Sequence, residues 1–234
     1  MSHAADQPTG FPLPDWTPRP QPPRNAMQGH FCRIEPLDAD RHAVELFTAN
    51  SADADARMWT YLGYGPFASL ADYRAWAETS AKSSDPLFHA IVDLVAGKAA
   101  GVASYLRIDA AAGVIEVGHI ALSPAVQRTA AATEAMWLMM RRVFEELGYR
   151  RYEWKCDALN APSRRAAERL GFTYEGTFRQ ATIYKGRNRD TAWFSIIDRE
   201  WPAVDAAFRA WLAPENFDGA GRQKRRLADL MRRR

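Results

Sequence analysis

The residues best placed to do chemistry form one run, Gln127-Arg128-Thr129-Ala130-Ala131-Ala132-Thr133-Glu134, which follows a strand ending at Leu122 and opens a helix. The first turn of a helix presents backbone N–H groups that have no intrahelical acceptor, at the positive end of the helix dipole. Side chains as small as those from Thr129 to Thr133 let a pyrophosphate come close to that backbone. The chemistry implied is anion binding, although alanines at a helix start are also simply good helix formers. Cys32 and Cys156 are the only cysteines. Two are too few for a cysteine zinc site or a disulfide framework, so both read as reduced thiols and no metal is expected.

These residues need elements to hold them. A strand over 114–122 leads through Ser123-Pro124 into a helix predicted over 125–147, where Met136, Met139, Val143, Phe144 and Leu147 recur at spacings of three and four and Gly148 is the stop. Upstream, Phe31, Arg33 and Glu35 alternate with Cys32, Ile34 and Pro36 as a first strand. Asp38 is positioned to cap a helix carrying Val44, Leu46 and Phe47, and Ser69 with Asp72 begins a second helix through Tyr73 and Trp76. The connection between them holds Trp59, Tyr61, Tyr64 and Phe67, aromatics that either line a groove or fill the core beneath it. Strands over 88–95, 101–108 and 114–122 form a meander. Beyond the long helix, Tyr152, Trp154 and Cys156 alternate with Arg151, Glu153 and Lys155. A short helix ending at Leu170-Gly171, two strands around Lys185-Gly186-Arg187-Asn188 and a helical segment over 200–212 complete the order. It reads as an α/β (α+β) mixed sheet with helices on its faces.

With 234 residues, 47% hydrophobic and 25% charged, the chain suits one principal domain with extensions: an arm over 1–28, a domain over 29–201, and a helical extension with a basic tail over 202–234. The arm carries Pro8, Pro12, Pro14, Pro18, Pro20, Pro22 and Pro23, which favour extended backbone, and Phe11, Leu13 and Trp16, which give it something to pack. It either lies across the body or a partner subunit, or floats free. The formal net charge of +3 is local, since Arg222, Lys224, Arg225, Arg226 and Arg232 to Arg234 crowd the end. Nucleic acid is therefore not expected as a partner, except weakly through that tail. No apolar run reaches the ~20 residues of a membrane span, and no signal-type segment is seen. The expected compartment is the cytoplasm.

Residues 116–201 resemble the RimJ/RimL-like branch of the GNAT N-acetyltransferases. The family's phosphate-binding pattern of Gln or Arg, two residues, Gly, one residue, then Gly or Ala matches Gln127, Ala130 and Ala132, and the branch's Ala-Thr-Glu-Ala follows at 132–135. Ala130 stands where glycine is usual; its methyl group is compatible with a negative φ. Asn160-Ala161-Pro162-Ser163 with Leu170-Gly171-Phe172 matches a second signature, and Arg189-Asp190 through Trp193-Phe194-Ser195 a third.

The resemblance implies a GNAT-like central sheet, mostly antiparallel and twisted, splayed at a cleft and flanked by helices. It implies acetyl-CoA as co-substrate: the backbone of Arg128, Thr129, Ala130, Ala131, Ala132 and Thr133, behind Gln127, would hold the pyrophosphate, and the strand near Ile120 and Leu122 would pair with pantetheine. Arg128 either adds a cation or is solvated, and Asn160 either binds the pantetheine arm or caps its helix. Many relatives place an acidic tyrosine four residues after the serine; here that position is Ala167, which leaves Ser163 as the expected contact to the thioester sulfur. Glu116 is the implied base, with Asp190 as a second candidate. Strand alternation would put His119 on the face opposite Glu116. The implied activity is acetyl transfer to a primary amine by direct attack in a ternary complex, the acceptor being a protein N-terminus or a small molecule. The segment from Trp59 to Phe67 and the turn at 185–188 are expected to flank its entrance, a wide acidic groove favouring peptides and a closed pocket small molecules. The alternative is a non-catalytic acyl-CoA-binding module. A homodimer is compatible with the aromatic arm.

Overall fold

The computed structural model describes residues 7–231. In chain order the elements are β1 (Met27–Gln28), β2 (Cys32–Pro36), α1 (Ala39–Asn50), α2 (Leu70–Lys82), β3 (Leu87–Asp93), β4 (Lys98–Asp109), β5 (Val114–Leu122), α3 (Ala130–Arg141), β6 (Arg151–Asp157), α4 (Ala161–Arg169), β7 (Thr173–Tyr184), β8 (Arg187–Ile197), α5 (Trp201–Leu212) and α6 (Leu227–Met231). The strands form a single sheet in the order β1-β2-β3-β4-β5-β6-β8-β7. Every neighbouring pair is antiparallel except β5 with β6. That one parallel pair is the consequence of α3 crossing between β5 and β6.

The caps form as their residue types dictate. Asp38 accepts from the backbone N–H groups of Asp40 and Arg41, and Ser69 from that of Asp72. The long helix is shorter than its apolar periodicity predicts. It begins at Ala130, with Thr129 as N-cap, because residues 124–128 form turns that return Val126 and Gln127 N–H to Ser123 O. At its other end residues 142–146 widen into a π turn.

Two apolar layers enclose the sheet. On one face Ile115, Val117, Tyr152 and Phe194 meet Met136, Leu138, Met139 and Val143 of α3 and its π turn, together with Trp201, Val204, Phe208 and Trp211 of α5. On the other, Phe88, Val92 and Val102 meet Leu46 of α1 and Tyr73 of α2. Trp201 thus opens a helix that belongs to the main core, and α6 adds Leu227 and Met231 to it. The arm crosses the body from Trp16 onward. Trp16 Nε1 donates to Ala111 O at 2.8 Å, Arg19 N to Ala110 O at 2.8 Å, and Arg142 Nη1 to Asn25 O at 3.0 Å. Its last residues become β1.

Glu134, in the run first singled out for anion binding, is a structural clamp. Its buried carboxylate accepts from the N–H groups of His30 (2.8 Å), Phe31 (2.6 Å) and Cys32 (2.9 Å), tying the start of β2 to α3. A Cβ at Gly29 would sit 2.3 Å from its Oε2. Glu134→Gln replaces one acceptor oxygen by a donor facing buried N–H groups, and should cost about 2 kcal/mol of folding free energy. Gly29→Ala should also destabilise, both read by denaturant unfolding.

Burial pushes the His89 imidazole down to about 4, with Arg142 adding to the effect. The folded chain then refuses a proton that the unfolded chain accepts below ~6.5. Stability should therefore fall as pH drops from about 6.5 to 4, and His89→Leu should flatten that slope in unfolding curves measured across the window.

Candidate active site

The two strands of the parallel pair part company halfway. Val114, Ile115, Glu116 and Val117 pair with Arg151, Tyr152, Glu153 and Trp154, and no pairing follows. From Gly118 on, β5 diverges from Lys155–Asp157 and a cavity of about 330 Å³ opens, lined on one side by Val117 to Ile120 and on the other by Trp154 to Asp157. Gly118 packs against Leu106: a Cβ there would lie 2.9 Å from Leu106 Cδ2 and would require that side chain to shift.

The pairing of β5 with β4 shifts at this point, from Ser104 opposite Gly118 to Val102 opposite Ala121. One extra residue is thereby accommodated on β5, a bulge at which His119 takes φ 51°. The bulge overturns the alternation expected for His119. Its ring stacks on Tyr64 at 5.6 Å and meets Phe88 at 5.1 Å, in the layer of α1 and α2, so it lines the same cavity as Glu116 instead of facing away. Burial holds its imidazole neutral, down to about 4.

Glu116 is buried at the inner end of the cavity. Arg107 Nη1 reaches both of its oxygens at 2.8 Å and Lys155 Nζ lies 3.0 Å from Oε2. Burial raises its pKa above the usual carboxylate range, and the Lys155 and Arg107 charges oppose that rise without cancelling it. Lys155 also contacts Glu153 at 2.7 Å and sits 3.7 Å from the centre of the Trp193 ring.

The loop into α3 is arranged by its own hydrogen bonds. Gln127 Nε2 donates to Leu122 O at 2.8 Å, fastening the loop to the end of β5. Thr129 N bonds Val126 O, Ala132 N the Thr129 hydroxyl and Thr133 N the Thr129 carbonyl, while the Thr133 hydroxyl is taken by Thr129 O and Arg169 Nη2. The N–H groups of Arg128, Ala130 and Ala131 are left without an acceptor among the described residues. Of the six residues from Arg128 to Thr133, these three present donors, and the left-handed conformation falls on Arg128 (φ 64°) and not on Ala130.

At the far side Asn160 caps α4, its Oδ1 accepting from Ser163 N at 3.1 Å. Ser163 Oγ accepts from Trp154 Nε1 at 3.0 Å, which leaves its own hydrogen for another acceptor. Both residues line the cavity, as does Ile120; Leu122 does not. Ala167 is fully buried in the core, so this position offers no access to the cleft. Asp190 is spent on the β7–β8 hairpin, accepting from Gln180 N (2.7 Å) and Asn188 Nδ2 (3.1 Å), which hold its carboxyl below its usual range.

The cavity also contains residues that sequence reasoning passed over. Asp157 accepts from Tyr184 Oη at 2.8 Å and from Leu159 N at 2.8 Å. Tyr184, pushed up to about 12 by burial and by Asp157, stays protonated. Arg107, Lys155 and Arg189 supply three cations. Strand alternation places Arg151, Glu153 and Lys155 on one face, and that was the available signal for Lys155; Arg189 opens the third signature without a role given to it, and nothing local marks Asp157 or Tyr184. The two segments expected to flank the entrance touch, Lys185 Nζ donating to Trp59 O at 2.8 Å, and Tyr61, which lines the cavity, donates from Oη to Leu159 O at 3.2 Å.

Known proteins share this arrangement. A GCN5-related N-acetyltransferase from Brucella melitensis superposes with a TM-score of 0.92 at 52% identity, covering 94% of this chain and 100% of the other. A probable acetyltransferase of the GNAT family from Chromobacterium violaceum gives 0.77 at 40% identity, covering 85% and 99%. YdaF of Bacillus subtilis, named as a candidate ribosomal N-acetyltransferase, is 28% identical over 174 residues, 72% of this chain and 90% of its own. Residues 32–173 match the family described as the acetyltransferase (GNAT) domain. The chain therefore belongs to the GNAT acetyltransferase family, with the likeness to YdaF in keeping with its RimJ/RimL-like branch.

Proposed function

We propose that this protein transfers the acetyl group of acetyl-CoA to a primary amine, by direct attack of the amine within a ternary complex. The observation that carries the reading is the cleft itself: an unpaired stretch of β5 and β6 with three free N–H groups at the adjoining helix start and a buried carboxylate at its inner end. The free N–H groups of Arg128, Ala130 and Ala131 fit a pyrophosphate, with the α3 dipole behind them. Unpaired strand backbone near Ile120 fits the amides of a pantetheine arm, much as it would fit an added strand. Acetyl-CoA, when bound, supplies an activated thioester. The chain's own residues do the rest.

The acceptor arrives mainly as an ammonium ion, since amines of this kind have pKa values near ~8 to 10. Glu116 takes its proton, directly or through water, and the raised affinity for a proton that burial confers suits a base. Ser163 turns its hydroxyl hydrogen toward the departing sulfur, while Tyr184, which lines the same cavity, gives its own to Asp157. Contacts from the Trp59–Phe67 segment to the β7–β8 turn and to Leu159 bound the cavity, and its lining mixes Glu116 and Asp157 with three cations. These features support a short acceptor or a chain end over a long basic peptide laid in an acidic groove.

Glu116→Gln should lower kcat by about 100-fold or more, in thiol-release assays over a panel of amines, with the Kd for CoA unchanged. Tight CoA binding by the native chain without turnover on any amine would instead return it to the non-catalytic acyl-CoA-binding class. Ala130→Asp, which sets a carboxylate beside the free N–H groups, should weaken CoA binding by about tenfold or more while leaving the unfolding midpoint in place. Lys155→Met removes a charge that favours ionised Glu116. The acid limb of kcat/KM, where the base gains its proton, should therefore move to higher pH; a limb that stays in place would remove Glu116 as the base.

A further inference from the structure

Charges lining the cleft are nearly all committed. Arg107 gives Nη1 to both oxygens of Glu116, and Lys155 is shared between Glu116 and Glu153. Asp157 accepts from Tyr184 Oη and Leu159 N. Arg189 is different. Its Nε donates to Thr191 Oγ1 at 3.2 Å, and its two outer nitrogens make no hydrogen bond or ion pair among the described residues. Those outer nitrogens are the pair that grips a carboxylate in a bidentate fork.

Its position follows from the register. Thr191 is paired with Asp157, the last residue of β6, so Arg189, two residues before Thr191 and on the same face, lies past the end of that strand. There it lines the cavity together with Thr182 and Tyr184, opposite Tyr61 to Gly63. An acceptor bearing a second positive charge would meet the unpaired Arg189 guanidinium and no free carboxylate.

Resting on the transfer reading above, we infer that the preferred acceptor is an amine that also carries an anionic group, a carboxylate in the simplest case, and that Arg189 holds that group while the amine points inward. The site thereby selects against polyamines and other polycations. Arg189 is a specificity residue in this scheme and takes no part in bond making.

The test compares γ-aminobutyrate, butylamine and putrescine, which present the same primary amine with a carboxylate, a methyl group or an ammonium at the far end. Two tetrapeptides that differ only in Glu or Lys at the second position separate a peptide source of the carboxylate from a small-molecule one. The native enzyme should favour the carboxylate member of a series by tenfold or more in kcat/KM, and Arg189→Gln should erase that preference, raising KM for the carboxylate acceptor about tenfold while leaving butylamine and the Kd for CoA unchanged. Turnover that favours putrescine or the Lys peptide, or a preference that survives Arg189→Gln, overturns the inference and leaves acetyl transfer standing. Absence of turnover on every amine with CoA bound overturns both.

Discussion

The cleft exists because β5 and β6 are held together at one end and kept apart at the other. Four residues of parallel pairing lock Val114–Val117 against Arg151–Trp154, and the bulge at His119 then turns β5 away while β4 keeps hold of its other edge. Backbone donors and acceptors without partners are costly when buried, so a splayed pair of strands is stable only where solvent or a ligand can satisfy the exposed edges. The open end is thus where β5 and β6 leave backbone groups for solvent or a ligand to satisfy. Gly118 at the branch point, packed against Leu106, and Gln127, tied to Leu122, fix where the divergence begins and where it ends.

Behind the cleft runs a row of alternating charges. Arg107, Glu116, Lys155, Glu153, Arg151 and Glu175 follow one another across β4, β5, β6 and β7, each contacting the next. A buried carboxylate such as Glu116 is tolerated only with compensating charge nearby, and this row provides it on both sides. The arrangement gives the site a carboxylate that is desolvated yet ionisable, which a single ion pair at the surface would not do. It also links Glu116 to residues well away from the cavity, Glu153 and Arg151, through Lys155.

The α3 start shows how one segment serves two ends. Thr129 caps the helix and Thr133 and Glu134 turn inward, Thr133 to Arg169 and Glu134 to the N–H groups opening β2. Only Arg128, Ala130 and Ala131 keep donors facing out. The small side chains of this run therefore answer to packing against the sheet as much as to a phosphate. The same economy applies to Asn160 and Ser163, which cap α4 while lining the cavity.

Local patterns in the chain were enough to place most elements. Asp38, Ser69 and Asn160 announce helix starts because a short polar side chain satisfies N–H groups within three residues of itself, and the alternation of Tyr152, Trp154 and Cys156 marks a strand because one face is buried. The ordered signatures from Gln127 to Ser195 carried the family. What the sequence could not fix was whatever depends on residues far apart coming together. A single added residue at His119 reversed the face predicted for it, since alternation assumes an unbroken ladder and the bulge is set by how β5 meets β4. Asp190, the second candidate for a base, is held in the hairpin by Gln180 and Asn188. The pairing of Arg107 with Glu116, 9 residues away, and the meeting of Lys185 with Trp59, 126 residues away, arise only when the sheet assembles. By itself the sequence determined the fold and the family, because caps, strand alternation and the family signatures are local. Tertiary structure alone decided which charges line the cleft and which of them are paired, because burial and ionic partnership are properties of the assembled sheet.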